Sequence, residues 1–220
     1  MIKQLLFFIV CIAAANAAEV NDVLPDPYPE VYERVTLMPF NNHGWYPHAQ
    51  RFDHLIREHG IKNVIEVGSW LGCSTRHLAS LIPADGKVLA VDHWEGSVEH
   101  LQMDVRDWLP TLYEQFLSNV IHAGLQDKII PVRLASLEAA QKLQTIPLKI
   151  DLVYIDGAHD YQSVYNDIVA WYPFIADDGI MTGDDWHYGD VKMAVDRFAR
   201  ENNLTVIGDN NFWMYQKSHG

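Results

Sequence analysis

The stretch Val64–Thr75, VIEVGSWLGCST, decides how the rest of the chain is read. A β-rich run from Val64 to Val67 breaks at Gly68. After three intervening residues a second glycine, Gly72, leads into Ser74, Thr75 and a helical pattern. Gly68 can take backbone angles closed to other residues, and neither glycine has a side chain to hold a ligand off the backbone. Ser74 and Thr75 are suited to cap the helix that follows. A tight strand-to-helix turn accounts for the two glycines by itself. A turn that admits the polar part of a ligand accounts for them together with what lies downstream.

Downstream the pattern repeats. Short apolar runs, NVIEV, KVLAVD, KIIPVR, IDLVYID and GIMTGDD, alternate with helical stretches, STRHLASLI, SLEAAQKL, DYQSVYNDIVAWYPFI and DVKMAVDRFARENN. Ser97–Gly124 reads as a long helix interrupted by Pro110. Ahead of the first strand, HAQRFDHLIREHG places Phe52, Leu55 and Ile56 at helical spacing, with Gly60 as a stop. The chain closes on LTVIG and FWMYQ, joined by DNN, which predicts a hairpin. Strands alternating with helices predict an α/β, Rossmann-like domain. Its seven-stranded, mostly parallel sheet carries helices on both faces and one antiparallel strand from the C-terminal hairpin.

The start of the chain belongs to another category. Lys3, an apolar stretch from Leu5 to Ala15 and the small-x-small triplet Ala15-Asn16-Ala17 predict a secretory signal peptide over 1–17. Cleavage there would leave a single domain of roughly 200 residues, ample for a core. An extended Pro- and Asp-rich arm over 18–45 would precede a domain over 46–220. The expected location is secreted or periplasmic, with no stable membrane span after cleavage. Cys73 would be the one remaining cysteine, so the fold depends on no intrachain disulfide. At a helix start its thiolate is expected to be favoured. The formal charge is −13 with no Lys/Arg-rich run, which disfavours nucleic acid as a partner.

In open α/β sheets ligands sit at the carboxyl ends of the strands, near the point where strand order reverses. Glu66, Gly68, Ser69, Gly72 and Ser74 surround the first such end. Asp92 closes the second strand, where an acid can accept from both hydroxyls of a ribose. The glycine spacing is not Gly-x-Gly-x-x-Gly, and no Gly-x-Ser-x-Gly elbow or Gly-Lys-Ser/Thr loop is present, so dinucleotide, serine-hydrolase and phosphate-loop chemistries are disfavoured.

VIEVGSWLGCST followed by VLAVDHWEGSVEH resembles the first two motifs of class I S-adenosylmethionine-dependent methyltransferases. DGAHDY, residues 156–161, brings the small-molecule O-methyltransferase-like group closest. The resemblance implies that Glu66, Gly68, Ser69, Gly72 and Ser74 hold the methionine part of S-adenosylmethionine and Asp92 its ribose. It implies that His93, Trp94 and Ser136 border the adenine, with Trp94 able to stack on it. The segment RLAS, residues 133–136, carries no acidic residue where the family often has one.

The fourth and fifth strands end in YIDGAHDY and MTGDDW. As neighbours about 4.8 Å apart, they would bring Asp156, Asp184 and Asp185 to one rim. Carboxylates that close repel one another unless a cation or proton intervenes, and a divalent metal with oxygen ligands, Mg²⁺ by default, would answer that. Asp156 is then a ligand and a candidate proton acceptor beside the cofactor. His159 is a candidate base, with His187 a second. Trp45, Trp70 and Trp186 are candidates for an aromatic substrate mouth. The expected activity is methylation of a small hydroxylated molecule, a sugar or a phenol. Against it stand a secreted binding module on the same scaffold and hydroxylase-like chemistry, because an exported domain would meet little of a cofactor made in the cytosol. The arm is expected either to lid the site or to contact a second copy of the chain.

Overall fold

The computed structural model describes residues 28–217, so the signal-like segment 1–17 and the first part of the arm lie outside the described residues. The strands are β1 (Asn63–Val67), β2 (Lys87–Asp92), β3 (Ile129–Arg133), β4 (Ile150–Ile155), β5 (Ile175–Gly183), β6 (Leu204–Asp209) and β7 (Phe212–Lys217). The helices are α1 (Ala49–His59), α2 (Cys73–Leu81), α3 (Leu112–His122), α4 (Ser136–Leu143), α5 (Tyr161–Trp171) and α6 (Gly189–Glu201).

The apolar runs become strands because both of their faces are covered. Val64, Ile65 and Val67 of β1, and Val88, Leu89, Ala90 and Val91 of β2, are all buried. The sheet order is β3-β2-β1-β4-β5-β7-β6. β1 to β5 are parallel, and β7 runs antiparallel to both of its neighbours. This is the expected seven-stranded arrangement with its C-terminal hairpin. Right-handed crossovers put α2 and α3 on one face and α4 and α5 on the other. The order reverses between β1 and β4.

Helix boundaries follow local chemistry. α1 buries Phe52 and Ile56 and stops where Gly60, at φ 60°, returns its N–H to the Ile56 carbonyl. Asp160 caps α5 by accepting from the Ser163 N–H at 3.0 Å. The long helix expected over 97–124 is realised only in its second half. Residues 100–102 and 106–111 form short 3-10 turns, Pro110 sits in the second of them, and the α-helix begins at Leu112. Proline cannot donate within a helix and restricts the residue before it.

The arm is a strap tied down by side chains of α3 and α2. Ser118 Oγ accepts from the Met38 N–H at 2.9 Å and donates to the Met38 carbonyl at 3.0 Å. Asn119, fully buried, donates to the carbonyls of Asn41 (2.7 Å) and Leu71 (2.9 Å) and accepts from the Asn41 N–H (3.0 Å) and Gln115 Nε2 (3.0 Å). Arg76 donates to the Leu71 carbonyl at 2.7 Å and to Asn42 Oδ1 at 2.6 Å, with Phe40 over its guanidinium. Further on, Tyr46 pairs with His77 at 2.8 Å.

Asn119 thus joins the arm to the loop that follows β1. Asn119→Ala would leave the Leu71 carbonyl and both polar groups of Asn41 without that partner. A loss of about 3 kcal/mol in urea-induced unfolding is expected, with earlier protease cleavage in the 38–46 segment.

Candidate active site

Backbone hydrogen bonds carry the strand register one residue past the strand ends. Gly68 N–H donates to Val91 O (2.9 Å), Leu134 N–H to Asp92 O (3.2 Å), Asp156 N–H to Val67 O (2.8 Å) and Asp184 N–H to Ile155 O (3.0 Å). Residues from five loops are therefore set in one row across the carboxyl edge of the sheet.

At the centre of the row, Gly68 has φ 92°. A Cβ there would lie 1.9 Å from the Asp156 carbonyl oxygen, so the β1 and β4 loops touch backbone to backbone. At Gly72, φ 77°, a Cβ would meet the Phe116 ring at 2.9 Å. Ser74 and Thr75 do not cap α2 as expected, since the helix begins at Cys73 with Gly72 at its N-cap. Thr75 instead turns its hydroxyl onto Glu66 Oε2, because the helix start points it back at β1. Glu66 is fully buried, and burial raises its pKa against the pull of nearby hydroxyls. Its Oε1 and the hydroxyl of Ser69 are both buried without a hydrogen-bond partner among the described residues. The Ser74 and Ser69 hydroxyls lie near enough to pull the Glu66 pKa down against burial, and the unpaired carboxylate oxygen and hydroxyl beside a side-chain-free turn can both accept from a ligand ammonium, a group rich in donors.

Asp92 accepts from the Trp70 N–H (2.9 Å) on one carboxylate oxygen and from the Trp94 N–H (2.7 Å) on the other. Each oxygen keeps lone-pair capacity for a diol. Trp70, Trp94 and Asp185 have positive φ, at 49°, 53° and 62°. Strain of this kind persists only where surrounding contacts enforce it, and it gathers at functional loops. Trp94 is 2% exposed, packs on Tyr113 and Phe116, and donates to the Trp70 carbonyl at 2.7 Å. Its ring therefore belongs to the core and not to a base-stacking surface. His93 is exposed and accepts from the Glu95 N–H.

An aromatic group adjoins the turn. Trp70 stacks on His100 at 4.4 Å, Trp45 stacks on His100 at 5.9 Å and lies 5.6 Å from Trp70, and Trp70 Nε1 donates to His43 at 3.3 Å. Burial lowers the pKa of both His43 and His100, which favours neutral rings in this group. Trp45 and Trp70 thus come together as expected, whereas Trp186 packs against Gly208 and Lys192.

The acidic rim differs from its expectation. Tyr154 donates to Asp156 at 3.0 Å and reaches Asp184 at 3.5 Å, so these two carboxylates converge. Asp184 is paired with His48 at 2.8 Å, both 6% exposed. Asp185 is paired with His159 at 2.9 Å, and the second ring nitrogen of His159 lies 3.4 Å from Glu99. Among the described residues no group of three or more His, Cys, Asp or Glu is arranged to hold a metal ion. Of the carboxylates expected to ligate Mg²⁺, Asp184 and Asp185 are instead matched to separate imidazoles and Asp156 to the Tyr154 hydroxyl, so the donor set does not fit a resident cation. His187 lies exposed against Tyr188. Burial, then Asp184 and Asp185, push Asp156 well above the usual carboxylate range. The hydrogen bond to Asp185 raises His159. Cys73 is corrected too: burial pushes its thiol up, outweighing the nearby Arg76.

Three contributors carried no sequence signal. His48 stands at the start of α1, far in sequence from Asp184. His100 sits in a stretch read as helix. Asp167, on α5, accepts from Ser136 at 2.5 Å and is held at a pKa of about 6, mainly by burial.

A model of a family described as a methyltransferase domain matches residues 65–186, more than half of the chain. The chain belongs to this methyltransferase family. None of the curated proteins matches it. Among solved structures it is similar to an O-methyltransferase from Bacillus cereus in complex with SAH (17% identity, TM-score 0.57, 90% of each chain covered). It is also similar to the O-methyltransferase TomG from Streptomyces achromogenes, involved in tomaymycin synthesis and solved with SAM (15%, 0.61, 93% of this chain and 90% of that one). A third is the O-methyltransferase NovP (15%, 0.58, 97% and 99%). At these identities the likeness shows a shared fold.

Asp167 makes stability depend on pH in a defined direction. Its folded pKa of about 6 lies above the ordinary 3.8, so the folded chain binds this proton more tightly. The contribution is full at low pH and is lost as pH rises between those two values. Asp167→Asn, which cannot titrate, should flatten that part of a stability-versus-pH curve, by about 2–3 kcal/mol across the window, measured by denaturant unfolding.

Proposed function

We propose that the protein transfers the methyl group of S-adenosylmethionine to a hydroxyl of a small molecule, a phenol or a sugar. The observation that carries the reading is the pair of orphaned buried acceptors, Glu66 Oε1 and Ser69 Oγ, in the same row of strand ends as the Asp92 carboxylate. An ammonium at the first and a ribose diol at the second match the two ends of an aminoacyl nucleoside. The SAM and SAH held by two structures of like fold support the same ligand.

When bound, S-adenosylmethionine supplies an electrophilic methyl on a sulfonium, a good leaving group. The chain then has to align an oxygen nucleophile in line and take its proton. Asp156 suits the second task, because its raised pKa brings a carboxylate closer to working pH. His159 has both ring nitrogens within reach of carboxylates, which favours a role in holding Asp185 and Glu99 together. Tyr154 orients Asp156. The aromatic group of Trp45, Trp70 and His100 offers a flat apolar wall for the acceptor and limits water at the turn. The signal-like segment 1–17 supports an exported protein, and with it the second reading, a binding module that holds the ligand without transfer.

Calorimetry with S-adenosylmethionine on the purified protein is expected to show a single site. Asp92→Asn should weaken it on the order of 10- to 100-fold, since an amide turns a donor toward the diol. A folded protein that shows no heat overturns the proposal, and tight binding without methyl transfer to any phenol or sugar tested favours the binding module.

A further inference from the structure

The order of the strand ends gives the ligand a direction. With the aminoacyl end at β1 and the ribose at β2, the base extends toward the end of β3, the next strand in the sheet. Arg133-Leu134-Ala135 leave that strand, and Ser136, part-exposed, begins α4. No acidic side chain stands in this segment. Behind it, α5 brings one from elsewhere: Asp167, 6% exposed, accepts the Ser136 hydroxyl proton at 2.5 Å. The same hydroxyl oxygen accepts from Trp171 Nε1 at 2.9 Å, with Trp171 fully buried.

A serine hydroxyl has one proton and two lone pairs. Here the proton is committed to Asp167 and one lone pair to Trp171. What remains is a single lone pair, so Ser136 can accept from a ligand and cannot donate to it. We propose that Asp167 fixes the Ser136 hydroxyl as a pure acceptor and thereby makes this end of the cleft select an amino-bearing purine over an oxo-bearing one. Asp167 is a positioning residue that acts through Ser136, and the proposal rests on the cofactor reading above. Adenine presents an amino group at its six position where hypoxanthine and guanine present a carbonyl. Against a hydroxyl that can only accept, the carbonyl sets lone pair against lone pair. The carboxylate form of Asp167 required here prevails above about pH 6, and the charged neighbour that acts on it, Asp160, only raises that value.

The test compares two probes that differ at one position, S-adenosylhomocysteine and S-inosylhomocysteine, by calorimetry at a pH well above the Asp167 value. The unsubstituted protein is expected to prefer the adenosyl probe on the order of 100-fold. In Asp167→Asn the amide can donate to Ser136 and free its proton for the ligand, so the preference should fall to about threefold or less. Ser136→Ala, which neither donates nor accepts, should lose the preference as well, and it carries the test if Asp167→Asn does not fold by circular dichroism. A merely structural role for Asp167 would weaken both probes alike and leave their ratio unchanged. An unchanged ratio in a folded Ser136→Ala or Asp167→Asn protein overturns the proposal. If neither probe binds the unsubstituted protein, the cofactor reading itself fails, an outcome distinct from binding without discrimination.

Discussion

The contact on which the site depends is between two loops, where the backbone of Gly68 meets the carbonyl of Asp156. A side chain at 68 would need space that the Asp156 carbonyl fills, its Cβ falling 1.9 Å from that oxygen. Glycine therefore does two things here. It permits φ 92°, and it lets the loops after β1 and β4 close across the point where strand order reverses. With that contact made, Glu66 and Ser69 share one row with Asp156. A methyl group at 68 would part the loops and separate the orphaned acceptors from the carboxylate proposed to take the proton.

The strap is tied to this row through shared anchors. It reaches the turn from outside the sheet, and each step is a hydrogen bond between a buried side chain of α2 or α3 and strap backbone or side chain. Since Asn119 and Arg76 both also hold the Leu71 carbonyl, strap and turn share their anchors. The strap then delivers His43 and Trp45 to Trp70, and His48 to Asp184. A change in the strap would thus reach both the ligand turn and the acidic rim.

The frame was legible because strand identity is a local property. Runs such as KVLAVD and KIIPVR are apolar on both faces whatever surrounds them, and only a covered parallel sheet uses such runs. Gly60 ends its helix as read, and the two strands around the closing turn pair as read. The stretch over 97–124 was less legible, since helical periodicity in its first half competes with Pro110 and the helix nucleates only beyond it. The candidate site was legible where its residues lie in the last residues of a strand or just after it, as Glu66, Gly68, Asp92 and Asp156 do. It was not legible where residues meet across the fold. His48 with Asp184, and Asp167 with Ser136, are separated by long stretches of chain, and neither pair has a spacing that marks it. Trp94 shows the converse, a residue placed at the right loop whose ring turns into the core.

The acidic rim shows why position and role separate. Three carboxylates at two adjacent strand ends must be compensated, and one divalent cation would compensate all of them at once. This chain uses three different neighbours: an imidazole for Asp184, an imidazole for Asp185, and a phenol for Asp156. Only Asp156 lacks an imidazole partner, and it is the carboxyl whose pKa is driven up by burial and by the other two. Compensation shared so unequally leaves one carboxyl able to exchange a proton while its neighbours stay engaged. A cation bridging all three would have equalised them and lowered the basicity of each. The imidazole pairs therefore leave Asp156, the proposed proton acceptor, as the carboxyl free of an imidazole at the end of β4.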